Sequence, residues 1–578
     1  MDELDQLKNL STSTVGDTLD RLGIAGRCLG ILPLDPGIRQ CRSAFAARTL
    51  PALLVLLLAA TALGCQGRET NEAPAGATMI VALEGEPATL TAHLSSDLPA
   101  VMIASNLFNG LIGYDFDFNP TPDLAERWEV SPDGLRYVFH MNPNARWHDG
   151  EPVTAEDVAF TFNEVIAKVH PRASRWWDNV ARAEAESEHL FAITLKSPFA
   201  PFLTLLGNRL GSGTLILPKH IYQGSDPRTN HANRRPIGSG PFKLAEWRAG
   251  SFITLERNPD YFKPGLPYLD RLVFQIVPDA ATRLLAFENG EIDFLHAYIV
   301  PYEAVGRLRE DDRFRVVDRG LEAAATNENL LLNLRNPYLV DERSRQALAH
   351  AIDRQAILEG ALFGLGRVAH SHINSGLGWV HAGEFDDYRI RDLSKAESLL
   401  DAAGFARAED GRRFELRLTY DAGKDVERRS AAIIRDNLAE VGVAVSVEPF
   451  DRPTYIERTF RDWDFDMALQ NFVTGPDPAL SVTTRYHSKQ IQRAPFVNAM
   501  GYSNVGVDAL MDADLSELDR GRRKEIWTRI QSVLMKELPA LPLFEYPTLN
   551  LVSGALEDVV TTPNGYLQSR ELARPRKN

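Results

Sequence analysis

An apolar run, LPALLVLLLAATALG, extends from Leu50 to Gly64, and the residue after it, Cys65, is the last cysteine in a chain of 578 residues. Residues 66–578 therefore have no cysteine with which to close an internal disulfide. Their fold rests on buried apolar surface alone. They also hold no stretch long enough to cross a bilayer, which takes about 20 apolar residues. The run itself is too short for that and suits the apolar core of a secretory signal. Arg39, Arg42 and Arg48 precede it, with no acid between Asp35 and the run, which gives it the positive flank such signals need. The competing reading is a buried core helix. A chain of this length exceeds what one core accommodates, so two or more domains are expected.

The net charge of −15 belongs to the part after Cys65, because acids and bases balance before it. Nucleic acid is excluded as a partner, since its binding needs clustered positive charge. Catalytic signatures are missing as well: no HExxH, CxxC, GxSxG or GxxxxGK[ST] occurs. His148-Asp149 is the one acid–base neighbour pair that stands out, and His370-Ser371-His372 lacks a third metal ligand. The chain reads as a non-enzyme with no catalytic residue, no metal and no cofactor.

Strand and helix signals alternate, which indicates an α/β architecture. A first strand is expected near Met79. Arg136–Met141 alternates with Tyr137, Phe139 and Met141 on one face. Thr154 is placed to cap a helix whose stripe is Val158, Phe162, Val165 and Ile166. In Leu393–Phe405, Ser394 and Glu397 have capping-box spacing, Ala396, Leu399, Leu400 and Ala403 form a stripe, and Gly404 ends the helix. A helix over Ser430–Val441 and a strand over Ala444–Glu448 follow.

The segment before the signal, residues 1–49, is anomalous. Leu10–Gly37 and Ser43–Pro51 resemble the start of the regulators of ribonuclease activity A, with an early helix over Ser11–Leu22. Only that opening is present, so it closes no core and carries over no site; a fusion scar or a misplaced start codon explains it. Ala62-Leu63-Gly64-Cys65 resembles a bacterial lipobox, with Ala62 where Leu is usual. Cys65 is thus the expected lipidation site, and residues 65–78 read as a polar tether.

The remainder resembles the extracellular solute-binding proteins of family 5, the peptide- and nickel-binding components of ABC importers. Leu124–Phe162 carries a Trp, a Ser-x-Asp-Gly turn, an alternating strand, Trp-His-Asp-Gly and Pro-Val-Thr-Ala. Arg235–Tyr261 has a Gly-Ser-Gly-Pro turn and Arg-Asn-Pro-x-Tyr; then come ENGEIDF ending at Phe294, NPYLVDERSRQALAHAI within Asn333–Ile352, and Gln531 with a Pro539–Pro542 turn. The likeness spans about residues 77–565. It implies a two-lobed α/β periplasmic binding protein fold of the large type. Lobe I would take 77–113, 237–320 and 540–572, an inserted domain 114–236, and lobe II 321–539.

The same resemblance implies capture of oligopeptides or peptide-like solutes in an interlobe cleft and delivery to an ABC permease and ATPase complex. The protein would be a monomer in the periplasm or cell envelope, held to the membrane by lipidated Cys65. In the family's peptide binders an Asp pairs with the ligand's α-amine. Counting back from Asp477-Pro478, Thr474 holds that place, and Asn471 that of a Trp. Asn471, Thr474 and Asp477 are expected at the cleft, Asp477 also being suited to cap a turn. Arg485 and His487 are placed to meet an anionic group or form structural ion pairs, and Trp379 to be a stacking wall or a packed loop aromatic. The alternatives are a non-peptide solute (nickel chelate, haem, oligosaccharide or opine) and a solute-sensing or chaperone lipoprotein.

Overall fold

The computed structural model describes residues 77–95, 97–170, 177–208 and 214–576. Cys65, the signal, the tether as far as residue 76 and the first 49 residues lie outside the described residues. Three sheets organise the rest. The first has seven strands in the order Phe314–Val317, Asn550–Ser553, Phe294–Leu295, Thr78–Leu83, Arg271–Ile276, Phe252–Arg257 and Phe242–Arg248. The second has six, in the order Arg367–Val368, Ala540–Glu545, Thr326–Leu332, Met467–Val473, Phe414–Asp421 and Val443–Phe450. A four-stranded antiparallel sheet is built from Ala125–Val130, Arg136–Met141, Leu190–Leu195 and Val180–Ser187.

Strands covered on both faces are apolar on both where they cross the core, as in Thr78–Leu83 and in the Leu330–Leu332 end of Thr326–Leu332. Val81 and Leu83 enter one core, while Ala82 between them meets Phe287, Leu295 and Leu551 on the other face. In Thr326–Leu332, Leu330 and Leu332 enter the core beneath the helices Glu342–Ala351 and Asp425–Glu440. Leu331 points to the opposite face, toward Trp527 and Ile530. The four-stranded sheet, half-buried, alternates: Tyr137, Phe139 and Met141 are buried and their neighbours are not. Its core is continuous with that of the first large sheet, and Phe162 stacks between Trp177 and Phe191 at centroid distances of 5.2 and 5.6 Å.

Several local expectations hold in detail. The Thr154 cap is a full capping box with Asp157. Val158, Phe162, Val165 and Ile166 are all inaccessible to solvent, although the helix widens to π turns over Thr161–Ile166. The later helix is longer than expected, Asp425–Glu440, as is the strand Val443–Phe450.

Three expectations are corrected. The helix Leu393–Ala402 is capped by Asp392, which accepts from Lys395 N at 2.9 Å. It starts two residues earlier than the Ser394 box requires, and Glu397 turns outward to Arg407 and Arg413. Gly404 does end it, at φ +90°. Ala540–Pro542 is not a turn but the start of a strand. Pro542, which has no N–H to donate, sits where the ladder shifts register opposite Asn329. That strand also belongs to the second sheet, because Leu541 and Leu543 are buried in its core. Of the 540–572 segment assigned to the first lobe, only the part from Asn550 pairs there.

Candidate functional site

The connections between the large sheets determine where a solute can lie. Thr78–Leu83, Arg271–Ile276 and Phe294–Leu295 are mutually parallel, and their carboxyl ends share one edge of the first sheet. Phe414–Asp421, Val443–Phe450 and Met467–Val473 do the same in the second. Residues 318–325 join the carboxyl edge of the first sheet to that of the second, and residues 546–549 return between the same edges. A four-residue link spans about 14 Å at most, so the two edges face each other. Ligands of open α/β sheets collect outside the carboxyl ends of the strands; here two such edges enclose one slot.

On the first edge stand Glu84, His296, Tyr298, Tyr302 and Tyr566. His296 is fully buried, its Nε2 3.2 Å from Glu84 Oε2. Burial works to raise the Glu84 carboxyl, but the bond and charge of His296 outweigh it and leave the group below its usual range. Tyr298 crosses Tyr566 edge-on at 5.3 Å. Burial pushes the Tyr302 phenol up to about 12, and its ring reaches across to pack on the core of the second sheet.

The second edge carries a charged cluster. Glu328 is fully buried and lies directly opposite Asn471 in the ladder. Tyr546 donates its hydroxyl to Glu328 Oε2 at 2.7 Å. Lys424 Nζ donates to Glu427 Oε1 at 2.6 Å and Asn471 Oδ1 at 3.2 Å. Asp421 N donates to Glu427 Oε2 at 3.1 Å, and Arg452 pairs with Asp421 Oδ2 at 2.9 Å. Burial, then the charge of Glu427, raises the Glu328 carboxyl well above its ordinary range. Burial likewise raises Glu427.

A third wall lies where the segment before the four-stranded sheet meets the second lobe. A cavity of about 230 Å³ there is lined by Phe118, Asn119, Leu203, Trp379, Asp477 and Arg520, among others. The structure thus brings Trp379 and Asp477 together. Trp379 lies under the guanidinium groups of Arg520 and Arg523, at 4.9 and 5.4 Å. Asp477 is bidentate to Arg523 at 2.7 and 2.8 Å and also caps Ala479 N at 3.0 Å.

The other expected residues separate. Thr474 is buried behind the wall, its N–H donating to Ala325 O at 2.7 Å and its hydroxyl accepting from Asn374 N at 3.2 Å. Arg485 stacks on Phe472 at 4.2 Å and donates to the Val473 carbonyl. Burial lowers it to about 10, and it has no ion pair among the described residues. His487 does have carboxylate neighbours, Asp508 at 3.3 Å and Asp512 at 3.2 Å. Asn471 belongs to the charged cluster instead of the cavity. His370 and His372 diverge, to Asp386 at 2.6 Å and the Ala540 carbonyl at 3.0 Å. His148 is locked between Gly238 N at 3.0 Å and Gly240 O at 3.1 Å. Among the described residues no three metal-ligating side chains converge.

Glu328, Tyr546 and Tyr302 were missed by the sequence reading. One signal was available: TNENLLL places a glutamate as the third residue of a strand that ends in three leucines.

Known proteins match this architecture. The family described as bacterial extracellular solute-binding proteins, family 5, middle region, matches residues 119–493. The chain belongs to that family. Among family 5 relatives, the oligopeptide-binding protein AppA of Bacillus subtilis is 28% identical over 521 residues, covering 86% of this chain and 92% of that protein. Its solved structure with a nonapeptide is 27% identical, with a TM-score of 0.67 and coverage of 87% and 99%. The ABC transporter substrate-binding protein CtaP of Listeria monocytogenes is 25% identical with a TM-score of 0.74, covering 87% of this chain and all of that one. The fold is accordingly the two-lobed one of solute-binding proteins.

Proposed function

We propose that this family 5 protein is the solute-binding component of an ABC importer for oligopeptides or peptide-like solutes. The facing carboxyl edges carry the reading: only a cleft closed by two lobes gives a solute walls on both sides. AppA, an oligopeptide binder with a solved nonapeptide complex, supports a peptide solute. Solute would favour closure through contacts that only the closed state completes, and the closed form would dock on the permease and ATPase. The lobes would comprise the sheets described above, with 114–236 as the inserted domain. The protein would act as a monomer, without catalysis, in the periplasm or cell envelope on a lipidated Cys65. A Cys65→Ser variant should then lose labelling by radioactive palmitate and leave the membrane fraction.

A non-peptide solute is the second reading, favoured by one observation. Thr474 is buried and bonded, and supplies no carboxylate for an α-amine. Native mass spectrometry of protein purified without refolding separates the two. A ladder of peptide masses supports the first reading, and a single non-peptide mass overturns it.

A further inference from the structure

The proposed function leaves open what the solute must carry, and the charged cluster on the second edge bears on it. Two buried carboxylates, Glu328 and Glu427, feel the charge of one ammonium, that of Lys424, and only Glu427 is paired with it, at 2.6 Å. The third carboxylate, Asp421, is already matched by Arg452. One acid is therefore in excess. Its unmet atom is Glu328 Oε1, which is buried and has no hydrogen-bond partner, while Oε2 takes only the Tyr546 hydroxyl. The Asn329 amide polarises this carboxyl without completing a hydrogen bond to it. An unsatisfied buried polar atom is costly and rare, and calls for a reason.

A purely structural role would be served better by Gln, which adds no charge. The position offers another reason. Glu328 stands at the carboxyl edge, opposite half-buried Asn471, with Tyr546 bonded to it and Tyr302 next to Tyr546. Tyr302 comes from the first lobe, so separation of the lobes would withdraw its ring from Tyr546. Aromatic faces next to a carboxylate are what a desolvated cation needs. The loop residue that could have supplied an acid is Thr474.

We infer that Glu328 forms a subsite for a cationic group of the solute, an ammonium or guanidinium, closed over by Tyr302 and Tyr546. The inference deepens the peptide reading above and rests on it only for the choice of probes. A terminal amine and a basic side chain share the chemistry that Glu328 would recognise.

Isothermal titration with three peptides tests this: tetra-alanine, N-acetyl-tetra-alanine and N-acetyl-Ala-Ala-Lys-Ala. Wild type should prefer at least one cation-bearing peptide over acetylated tetra-alanine by tenfold or more, and which one identifies the source of the charge. Glu328→Gln should abolish that preference, bringing the affinity for the preferred cation-bearing peptide down to that for acetylated tetra-alanine. Lys424→Gln, which raises the excess of acid, should strengthen the preference; this opposite sign covers the case in which the first variant does not fold. If wild type binds none of the peptides, the peptide reading fails, and agmatine and cadaverine become the probes in a thermal-shift assay. No cation preference in wild type, or one that survives Glu328→Gln, overturns the inference.

Discussion

Replacing Arg523 with Met should weaken the second lobe more than any nearby surface change. Arg523 is 7% exposed, Asp477 2% and Asp514 not at all. Four hydrogen bonds of 2.7–2.9 Å tie the guanidinium to the two carboxylates. Those bonds and charges hold Arg523 above its usual range despite its burial. Met preserves the stem but leaves two buried carboxylates facing each other without a cation. Removing one partner of a buried ion pair costs about 3–5 kcal/mol. For a lobe losing about 3 kcal/mol per molar urea, the midpoint should fall by about 1 M or more. Fluorescence should report it, because Trp379 lies under Arg523 and Trp527 packs in the same core. The triple variant Arg523→Met, Asp477→Asn, Asp514→Asn removes the stranded charge and should recover most of the loss. A loss below about 1 kcal/mol in the single variant, or no recovery in the triple, would refute the argument that paired buried charge holds this wall.

Other outcomes follow from the same structure. Asp392→Ala should cost about 1 kcal/mol in urea unfolding and Ser394→Ala almost nothing, since the cap belongs to Asp392; the reverse order would restore the Ser394 box. His372 is buried, with its pKa lowered from 6.5 to about 4 by desolvation. A base with a depressed folded pKa binds its proton more readily when unfolded. Its stabilising contribution is therefore present above pH 6.5 and lost as pH falls from 6.5 to about 4. The pH dependence of unfolding in that window should flatten in His372→Asn, and an unchanged slope would contradict the assignment. Gly238→Ala should fail to yield folded protein in a solubility and circular dichroism assay, because its Cβ would lie 1.7 Å from the Leu107 carbonyl oxygen. Normal folding of that variant would show the turn to be looser than drawn.

Much of the fold was legible because it depends on local rules. The alternation in Arg136–Met141, the Thr154 cap and the Gly404 stop are properties of a few consecutive residues. Errors arose where two local rules competed. Asp392 and Ser394 are both good caps, and Leu393 joining the helix decided between them. Pro539 and Pro542 look like a turn, and the burial of Leu541 and Leu543 in the second core makes it a strand. The candidate site was read less well. Trp379 and Asp477 do meet at one cavity, but the reading could not foresee that Arg523, 46 positions away, occupies Asp477. Arg485 lacked the carboxylate expected of it and settled against a ring and a carbonyl.

By itself, the amino-acid sequence determined the elements, the absence of disulfides after Cys65, the family and the α/β class. Each depends on residue type and on spacings of a few positions. Only the tertiary structure decided which charges share a space. Glu328, Lys424, Glu427 and Tyr546 are scattered over more than 200 positions, yet they form one cluster because three strands and a helix start converge at one sheet edge. Coulomb and desolvation energies depend on distance through space and on exclusion of water, and neither quantity exists until the two edges are brought face to face.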